Sequence, residues 1–418
     1  MDWVDLSYLA AVSLVGGVAR GLRRGLPEGW RLRLEAAPDE ALEPGWIWLH
    51  AVSVGELVLA EGILTRLRDH GHRVHVTTGT VAGLSLLGKR LALWNKGGDL
   101  ITGGAFPLDD IAGLRPFLDA RPGAFVALET ELWPGLMREL SLRGIPSAII
   151  NGRLTERTLE KGGPWLQGAA SRLSLVAARD ESSVLAYQRL GAPRVQLGGN
   201  LKADLPMPGP LHKGWETLRQ AWTGSPILVA GNTVEGEESQ ILAAWKQARQ
   251  EHPELRLILA PRQPRRFQEV AMQFQKLGLA FQRASQPWSG DLRDWEGSDV
   301  LLLDTLGELP AAYAEGTLAL VGGGWTWTGG HNPMEPVRWG LPTLIGPGFA
   351  NFEDLVPPLR DAGLLEVVPA ASLLPALLGA LKAAPLRSEG VAVELPQALR
   401  GALDRTCKVL WEILPPVR

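Results

Sequence analysis

Short apolar stretches alternate along the chain with longer segments in which apolar residues recur every three or four positions. The short stretches predict buried β-strands, and the longer ones, such as Leu57 to Arg68, predict amphipathic helices. In a first block the predicted strands are Trp46 to Leu49, Val74 to Thr77, Phe125 to Leu128, Ala148 to Ile150 and Leu175 to Ala177. Strands that alternate with helices are typical of a parallel sheet covered by helices on both faces.

The same alternation restarts after residues 206–214, where three prolines and two glycines predict an interdomain linker. The predicted strands of this second block are Ile227 to Ala230, Leu255 to Leu259, Val300 to Leu303, Leu318 to Val321 and Pro342 to Ile345. We therefore expect two Rossmann-like α/β domains, residues 26–205 and 215–400, that face each other across a cleft. Residues 401–418 carry a final helical pattern, which is expected to pack back on the first domain.

Composition narrows the class of protein. A chain of 418 residues is too long for one ordinary core, and 45% hydrophobic with 21% charged residues is typical of a globular protein. A net charge of -3 argues against general electrostatic binding of nucleic acid. The single Cys407 excludes an intrachain disulfide and a cysteine-cluster zinc site.

The first 25 residues raise the question of a membrane contact. The run from Leu6 to Val18 is mostly apolar and is followed by Arg20, Arg23 and Arg24. Its 13 residues are too few to span a bilayer, which takes about 20 apolar residues, and two preceding aspartates are unlike a secretory signal. We interpret residues 1–25 as an interfacial membrane-associating segment. The alternative is a first helix packed on the protein's own core, and either way the body of the protein is expected in the cytoplasm.

A turn rich in glycine predicts a ligand site in the second block. Val321 to Pro336 reads VGGGWTWTGGHNPMEP and connects a predicted strand to a predicted helix. Glycines let a backbone approach a ligand closely, and the free amides of a helix start favour an anion such as phosphate. The alternative is a surface loop, but His331, Asn332 and Glu335 add three polar groups that a linker does not require.

Carboxylates follow two strands of the first block. Glu56 comes after the first strand, at the start of the next helix, and Glu129 and Glu131 follow the strand Phe125 to Leu128. Because ligands of open α/β sheets bind at the carboxyl ends of strands, these groups suit proton abstraction from a hydroxyl. The alternative for each is a glutamate that only caps a helix.

Cationic groups lie where they could neutralise a leaving phosphate. Lys202 precedes the linker, and Arg262 follows the strand Leu255 to Leu259. The turn from Leu303 to Leu309 adds exposed backbone amides. His70, His72 and His75 match no metal-binding spacing and are expected to be fold residues.

Nine motifs follow one another between Trp46 and Phe352, in the order HAVSVGE, ETELWP, NGRLT, GGNLKAD, GNTVEGEE, PRQP, DTLGEL, GGHNPMEP and GPGFANF. This order resembles the Kdo transferase family, which moves 3-deoxy-D-manno-octulosonic acid (Kdo) from its CMP ester to a lipid A precursor in lipopolysaccharide biosynthesis. The resemblance implies a GT-B glycosyltransferase fold, an inverting transfer without metal or other cofactor, and attachment to the cytoplasmic face of the inner membrane. It also implies that residues 26–205 bind the acceptor and residues 215–400 bind CMP-Kdo.

The resemblance assigns roles position by position. Glu56 is the implied proton acceptor, and Glu129, Glu131 and Lys202 are the groups implied to stabilise the transition state, with Glu129 favoured over Glu131. The implied CMP site consists of Pro261, Arg262, Leu306, Gly307, Glu308, Asn332, Pro333, Met334 and Glu335. Further candidates are Ser53, Gly55, Gly330, His331 and Asn351.

The chain departs from the family pattern near the donor. Gln263 stands where a histidine is usual, and Asn232 and Gly324 each replace a usual serine. Trp325 and Trp327 occupy the same loop as Gly324. Two alternatives to an active transferase follow: a nucleotide-sugar epimerase of GT-B architecture, and a homologue that binds a CMP-sugar without turnover.

Overall fold

The structure is a computed structural model that describes residues 3–39, 42–96, 98, 100–205, 213–286, 292–295, 297–383 and 393–417. The chain divides into two compact units. The first consists of Met1–Leu205 and Arg400–Arg418, and the second of Pro206–Leu399.

The first unit is built on a parallel seven-stranded sheet. Its strands are β1 (Ile47–His50), β2 (Val74–Thr78), β3 (Ile101–Ala105), β4 (Ala124–Leu128), β5 (Ser147–Gly152), β6 (Leu175–Ala178) and β7 (Val195–Leu197). They lie in the order β3-β2-β1-β4-β5-β6-β7. The five strands predicted for this block are confirmed within one or two residues at each end. The edge strands β3 and β7 were missed because they are half-buried and carry no continuous apolar run.

Helices separate these strands. They are α1 (Trp3–Gly21), α2 (Glu28–Leu34), α3 (Val54–Asp69), α4 (Val81–Trp94), α5 (Ile111–Asp119), α6 (Pro134–Leu142), α7 (Glu156–Ala170) and α8 (Glu181–Arg189). Alternation along β1 divides the core in two. Ile47 and Leu49 pack in the cluster that contains the apolar residues of α3, whereas Trp46 and Trp48 face the opposite cluster with Phe117. The rings of Trp48 and Phe117 stack with centroids 4.5 Å apart.

The second unit repeats the architecture. Its strands are β8 (Ile227–Thr233), β9 (Arg256–Pro261), β10 (Phe281–Arg283), β11 (Val300–Leu302), β12 (Leu318–Val321), β13 (Thr343–Ile345) and β14 (Leu365–Val367). They are parallel, in the order β10-β11-β9-β8-β12-β13-β14. Its helices are α9 (Lys213–Ala221), α10 (Glu237–Glu251), α11 (Phe267–Lys276), α12 (Leu309–Glu315), α13 (Met334–Arg338), α14 (Val356–Asp361) and α15 (Leu373–Ala383).

The predicted linker lies mostly outside the described residues, which omit 206–212. Its last two positions, Lys213 and Gly214, are the first turn of α9. The prediction was wrong there because Trp215 and Leu218 are fully buried in the core of the second unit, so the helix that carries them begins earlier than the glycine suggested.

The last helix, α16 (Ala402–Leu410), belongs to the first unit. Cys407 and Leu410 pack in the same cluster as the apolar face of α3. Asp204 caps α16, because its carboxylate accepts hydrogen bonds from the amides of Gly401 at 3.3 Å and Leu403 at 2.7 Å.

The first helix is bound to the rest of its unit through polar side chains. Tyr8 donates a 2.8 Å hydrogen bond to Asp109, and Arg20 forms a bidentate ion pair with Asp110 at 2.6 and 2.9 Å. Leu14 and Val18, by contrast, are 70% and 55% exposed. No helix among the described residues is long and apolar enough to cross a membrane.

Candidate functional site

The carboxyl ends of β1 and β4 lie side by side at the centre of the first sheet. The chain turns to opposite sides of the sheet from these two strands, so a crevice opens between their ends, and ligands of α/β sheets bind at such points. The β1 end leads to Glu56 in the first turn of α3. The β4 end leads to Glu129 and Glu131. The structure therefore brings the three predicted carboxylates together at one edge.

Glu56 is held by its own helix start. Ser53 is the N-cap of α3, and its hydroxyl accepts from the Glu56 amide at 3.4 Å while donating to the Glu56 carboxylate at 3.1 Å. The amide of Val52 donates to the other carboxylate oxygen at 2.8 Å. This pairing is similar to a capping box, except that the Glu56 carboxylate accepts from the amide of Val52 and not from that of the N-cap Ser53, so the helix-capping alternative also describes Glu56. Gly55 lies in the same first turn.

The electrostatic surroundings of Glu56 separate it from an ordinary cap. Burial, together with the charges of Glu129 and Glu131, raises the pKa of this carboxyl to about 7 against the opposing hydrogen bonds from Val52 and Ser53. A carboxyl with a pKa near 7 is half ionised at neutral pH. Glu56 can therefore accept a proton and release it again under physiological conditions.

Glu129 has an unusual backbone. Its φ is +58°, in the left-handed region that costs a residue with a side chain roughly 1–2 kcal/mol. The conformation is held from both sides, because the Glu129 amide donates to Ile150 at 3.0 Å and its carbonyl accepts from the Tyr187 hydroxyl at 3.0 Å. Strain that a neighbouring strand and helix maintain in this way is typical of functional sites.

Glu131 lies in a cluster with three residues that the sequence did not identify as site residues. Trp133 donates from its indole nitrogen to Glu131 at 2.8 Å, and His50 Nε2 lies 3.7 Å from the same carboxylate oxygen. The Arg33 guanidinium of α2 lies 5.2 Å from the centre of the Trp133 ring and donates to the Pro107 carbonyl at 3.0 Å. Burial lowers the pKa of Arg33, and the charges of Asp109 and Glu131 oppose that shift.

Lys202 follows β7, at the same edge of the sheet. It lies in a short 3₁₀ helix, Leu201–Asp204, whose N-cap Asn200 accepts from the Lys202 amide at 3.0 Å. The turn is anchored one residue earlier, where the Leu201 amide donates to the side chain of Asn151 at 2.9 Å. Asn151 is fully buried at the end of β5, so the position of the lysine depends on a strand end next to β4.

In the second unit the glycine-rich turn is closed by a protein carboxylate. Glu237, at the start of α10, is 1% exposed and accepts hydrogen bonds from Gly323 at 2.8 Å, Trp325 at 2.9 Å and Val234 at 3.1 Å. The Gly323 and Trp325 amides are therefore occupied by a protein carboxylate, whereas the predicted anion contact lies at the later helix start, Pro333 to Glu335. Sequence position alone did not reveal that Glu237 reaches them from another strand end.

The glycines of this turn allow two loops to pack closely against each other. A side chain at Gly324 would lie 3.0 Å from the backbone of Gly346, and one at Gly330 would lie 2.8 Å from the Gly348 carbonyl. The loops after β12 and β13 thus pack backbone to backbone. Gly324, one of the departures from the family pattern, has a structural reason in this contact.

The predicted CMP residues follow three strand ends of the second sheet. The first end is that of β9, which finishes at Pro261 and is followed by Arg262. The second lies between β11 and α12 and contains Leu306, Gly307 and Glu308. The third lies between β12 and the first turn of α13 and contains Asn332, Pro333, Met334 and Glu335. Arg262 and Leu306 are exposed, and the Asn332 side chain accepts from the Met334 amide at 3.2 Å. Gln263 accepts a 2.7 Å hydrogen bond from Arg265, and Asn232 has a positive φ of 56°.

His331 and Asn351 complete the predicted set. Burial, assisted by the charge of Arg262, lowers the pKa of His331 to about 4, so His331 is neutral near pH 7. The Asn351 amide donates to the Gly329 carbonyl at 3.0 Å. The carboxyl edge of the second sheet thus presents an exposed cation, a neutral imidazole and a short helix start.

Residues 28–205 match the 3-deoxy-D-manno-octulosonic-acid transferase (kdotransferase) family. The 3-deoxy-D-manno-octulosonic acid transferase of Haemophilus influenzae is 34% identical over 380 residues, which cover 88% of this chain and 87% of that protein. The enzyme of the same name from Bordetella pertussis is 32% identical over 327 residues, 76% of this chain and 74% of that protein. These relatives confirm the resemblance seen in the motifs.

Solved structures support the fold alone. UDP-GlcNAc 2-epimerase from Neisseria meningitidis has a TM-score of 0.58 at 14% identity, over 88% of this chain and 99% of that one. A UDP-N-acetylglucosamine 2-epimerase from Listeria monocytogenes has a TM-score of 0.57 at 11% identity, over 88% and 96%. The predicted α/β fold class of GT-B architecture is confirmed. The chain belongs to the 3-deoxy-D-manno-octulosonic acid transferase family of glycosyltransferases.

Proposed function

We propose that the protein is an inverting glycosyltransferase that moves Kdo from CMP-Kdo to a lipid A precursor in lipopolysaccharide biosynthesis. Relatives named for Kdo transfer support the reaction. The observation that carries the mechanism is Glu56, a carboxyl with a pKa of about 7 at the central crevice of the first sheet. An alcohol acceptor has to lose a proton during transfer, and a carboxyl tuned to neutral pH is suited to take it.

In the proposed step Glu56 accepts the proton of an acceptor hydroxyl while the hydroxyl oxygen forms a bond to the anomeric carbon of Kdo. The bond from that carbon to the CMP phosphate oxygen breaks, and CMP leaves with the electron pair. Attack opposite the leaving group inverts the anomeric centre. Glu129, Glu131 and Lys202, which lie at the same sheet edge, stabilise the charges that develop in the transition state.

The donor is held by the second unit. Arg262 is exposed at the end of β9, where its guanidinium neutralises the departing phosphate. The CMP site around Arg262 is formed by Pro261, by Leu306 to Glu308 and by Asn332 to Met334. Glu335 binds the ribose hydroxyls. The structural likeness to epimerases supports only the shared fold, so the epimerase alternative gains no support from it.

Membrane association is the second part of the proposal. The helix α1 exposes Leu14, Val15 and Val18, and Arg23 and Arg24 follow it. Apolar side chains can enter the interface of the inner membrane on its cytoplasmic face while the arginines meet anionic headgroups.

Sedimentation with vesicles of anionic phospholipid tests this contact. We expect the protein to sediment with the vesicles and the double substitution Leu14→Ser with Val18→Ser to reduce binding about tenfold or more, since each buried methylene contributes ~0.8 kcal/mol. Leu185→Ser, which changes an equally exposed leucine on α8, is the matched control and leaves binding unchanged. Equal sedimentation of all three proteins contradicts the assignment of α1 to the membrane.

Release of CMP tests the reaction itself. Purified protein supplied with CMP-Kdo and a tetra-acylated lipid A precursor is expected to release CMP. Glu56→Gln is expected to lower the rate by ~10²- to 10⁴-fold without changing the melting temperature, since it removes the general base. Glu61→Gln is the matched control, because Glu61 is a half-buried glutamate of the same helix that pairs with Arg90 at 3.4 Å.

The two failures of this experiment have different meanings. Full turnover by Glu56→Gln contradicts the role of Glu56. Binding of CMP-Kdo by the wild-type protein without any release of CMP contradicts the transferase and favours a homologue that has lost turnover.

A further inference from the structure

His50 is a buried histidine at the centre of the candidate site. It ends β1 and continues the alternation of Trp46 and Trp48, so its ring points into the core and is fully buried. It stacks on Phe106 with ring centroids 3.8 Å apart. A side chain without exposed surface cannot touch a substrate. Any influence of His50 on the reaction therefore acts through a neighbour.

The hydrogen bonds of His50 determine which ring nitrogen carries the hydrogen. Its Nδ1 lies 3.0 Å from the carbonyl oxygen of Thr77 and 3.1 Å from the Thr77 hydroxyl. A carbonyl oxygen only accepts, so Nδ1 has to donate. In the neutral ring Nε2 is then left without a hydrogen. This atom is buried and has no hydrogen-bond partner.

The bare nitrogen faces a carboxylate. His50 Nε2 lies 3.7 Å from the Glu131 oxygen that also accepts from Trp133. Two acceptors that face each other in a buried site repel unless a proton lies between them. A small rotation of Glu131 that shortens this distance to about 3 Å makes a hydrogen bond of ordinary length.

Resting on the proposed transfer reaction, we propose that His50 is a positioning residue, which holds the Glu131 carboxylate in place and shares one proton with it. The shared proton offsets the negative charge of Glu131 beside Glu56. His50 thereby weakens the repulsion by which the charge of Glu131 opposes ionisation of Glu56. It also keeps the Glu131 carboxylate in a fixed orientation in the crevice.

The groups around His50 allow this assignment. Thr77 of β2 and Phe106, which follows β3, are neutral. Burial lowers the pKa of His50 and the guanidinium of Arg33 on α2 lowers it further, whereas the carboxylate of Glu131 opposes this shift. Burial thus disfavours an isolated charge on the ring, and a proton shared with a carboxylate avoids that cost.

The chain offers a matched control in the next strand. His75 of β2 is 2% exposed, its Nδ1 lies 2.8 Å from the Thr102 hydroxyl, and its Nε2 is also buried without a partner. It lies two positions before Thr77, toward the amino end of the sheet. His75→Gln therefore reproduces the loss of stability that follows from replacing a buried histidine, at a position that is not in contact with Glu131.

Kinetics of CMP release distinguish positioning from packing. We expect His50→Gln to lower kcat about tenfold, the scale of losing an outer hydrogen-bond partner, with the KM for CMP-Kdo little changed. The acid limb of its pH profile moves to higher pH, because the charge of Glu131 is no longer offset and Glu56 holds its proton more tightly. His75→Gln is expected to lower the melting temperature only. Equal effects of the two variants on kcat and on the pH profile would overturn the proposal.

Nitrogen NMR of the full chain labelled with ¹⁵N-histidine tests the same idea without turnover. The signal missing in His50→Gln identifies residue 50. Its chemical shifts are expected to report a protonated Nδ1 and an Nε2 that shares a proton, and Glu131→Gln is expected to shift this signal but not that of His75. A neutral ring with hydrogen on Nε2, or a signal that Glu131→Gln leaves unchanged, contradicts the assignment. If CMP-Kdo is not turned over at all, this measurement still judges the His50–Glu131 pair separately from the proposed function.

Discussion

The central crevice of each sheet contains glutamates, which are half-buried in the first unit and buried in the second, and those of the two units have different partners. In the first unit Glu56 is bound by one amide and one hydroxyl and lies beside two further carboxylates, and its pKa is raised to about 7. In the second unit Glu237 is bound by three amides, and Glu238 by the Arg266 guanidinium at 2.6 Å.

This difference separates a reactive group from a structural one. Glu237 receives three amide donors and stabilises the loops that donate to it. Glu56 is half-buried, receives fewer donors and faces other carboxylates, and its pKa of about 7 allows it to exchange protons near neutral pH. The two units thus share a sheet architecture but differ in the hydrogen bonds that their central carboxylates receive.

Among the substitutions that test this difference between the units, the largest effect is expected at Glu237, on the stability of the protein. Glu237→Ala removes the acceptor of one buried and two half-buried amides and should lower the free energy of unfolding by about 3 kcal/mol, given the cost of unsatisfied donors. Chemical denaturation measures this change. The control Glu235→Ala alters an exposed side chain of the same loop and should stay within about 0.5 kcal/mol. A loss no larger than that of the control would mean that Glu237 is not the structural carboxylate described above.

A smaller effect is expected at Arg262. If the second unit binds the donor and the first performs the proton transfer, Arg262→Met should raise the KM for CMP-Kdo about tenfold and change kcat less, because one exposed charge-assisted contact is lost. Arg265→Met is the control, since that arginine lies in the same loop and donates to Gln263. Steady-state kinetics of both variants provide the measurement. A tenfold loss in kcat at constant KM would assign Arg262 to the chemical step instead.

The smallest effect is a pH shift caused by Glu129. Its charge raises the pKa of Glu56 but ranks below burial as a cause. Because Glu56 acts as a base only when ionised, its pKa defines the acid limb of kcat/KM. Glu129→Gln removes the nearby charge and lowers that pKa, so the acid limb should move to lower pH, opposite to the shift expected for His50→Gln. An acid limb that stays in place or moves upward would show that Glu129 does not act on Glu56.

Much of the fold could be predicted because central strands of parallel sheets are continuous apolar runs. β4 and β12 were found in this way. The edge strands β3 and β10 were missed, since β3 contains two glycines and β10 is only half-buried. The same limit applies to the site. Glu56 and Glu131 follow central strands and were identified, whereas Arg33 comes from a helix that precedes the first strand.

The sequence by itself determined the alternation of strands and helices and placed carboxylates and cations directly after strands, because these patterns depend on neighbouring residues along the chain. Only the tertiary structure decided that β1 lies beside β4, and so that Glu56 meets Glu129 and Glu131. It also decided that Glu237 occupies amides of the glycine-rich turn and that Thr77 determines the hydrogen position on His50. Hydrogen bonds and burial depend on distances between residues far apart in sequence, and those distances exist only once the sheets have formed.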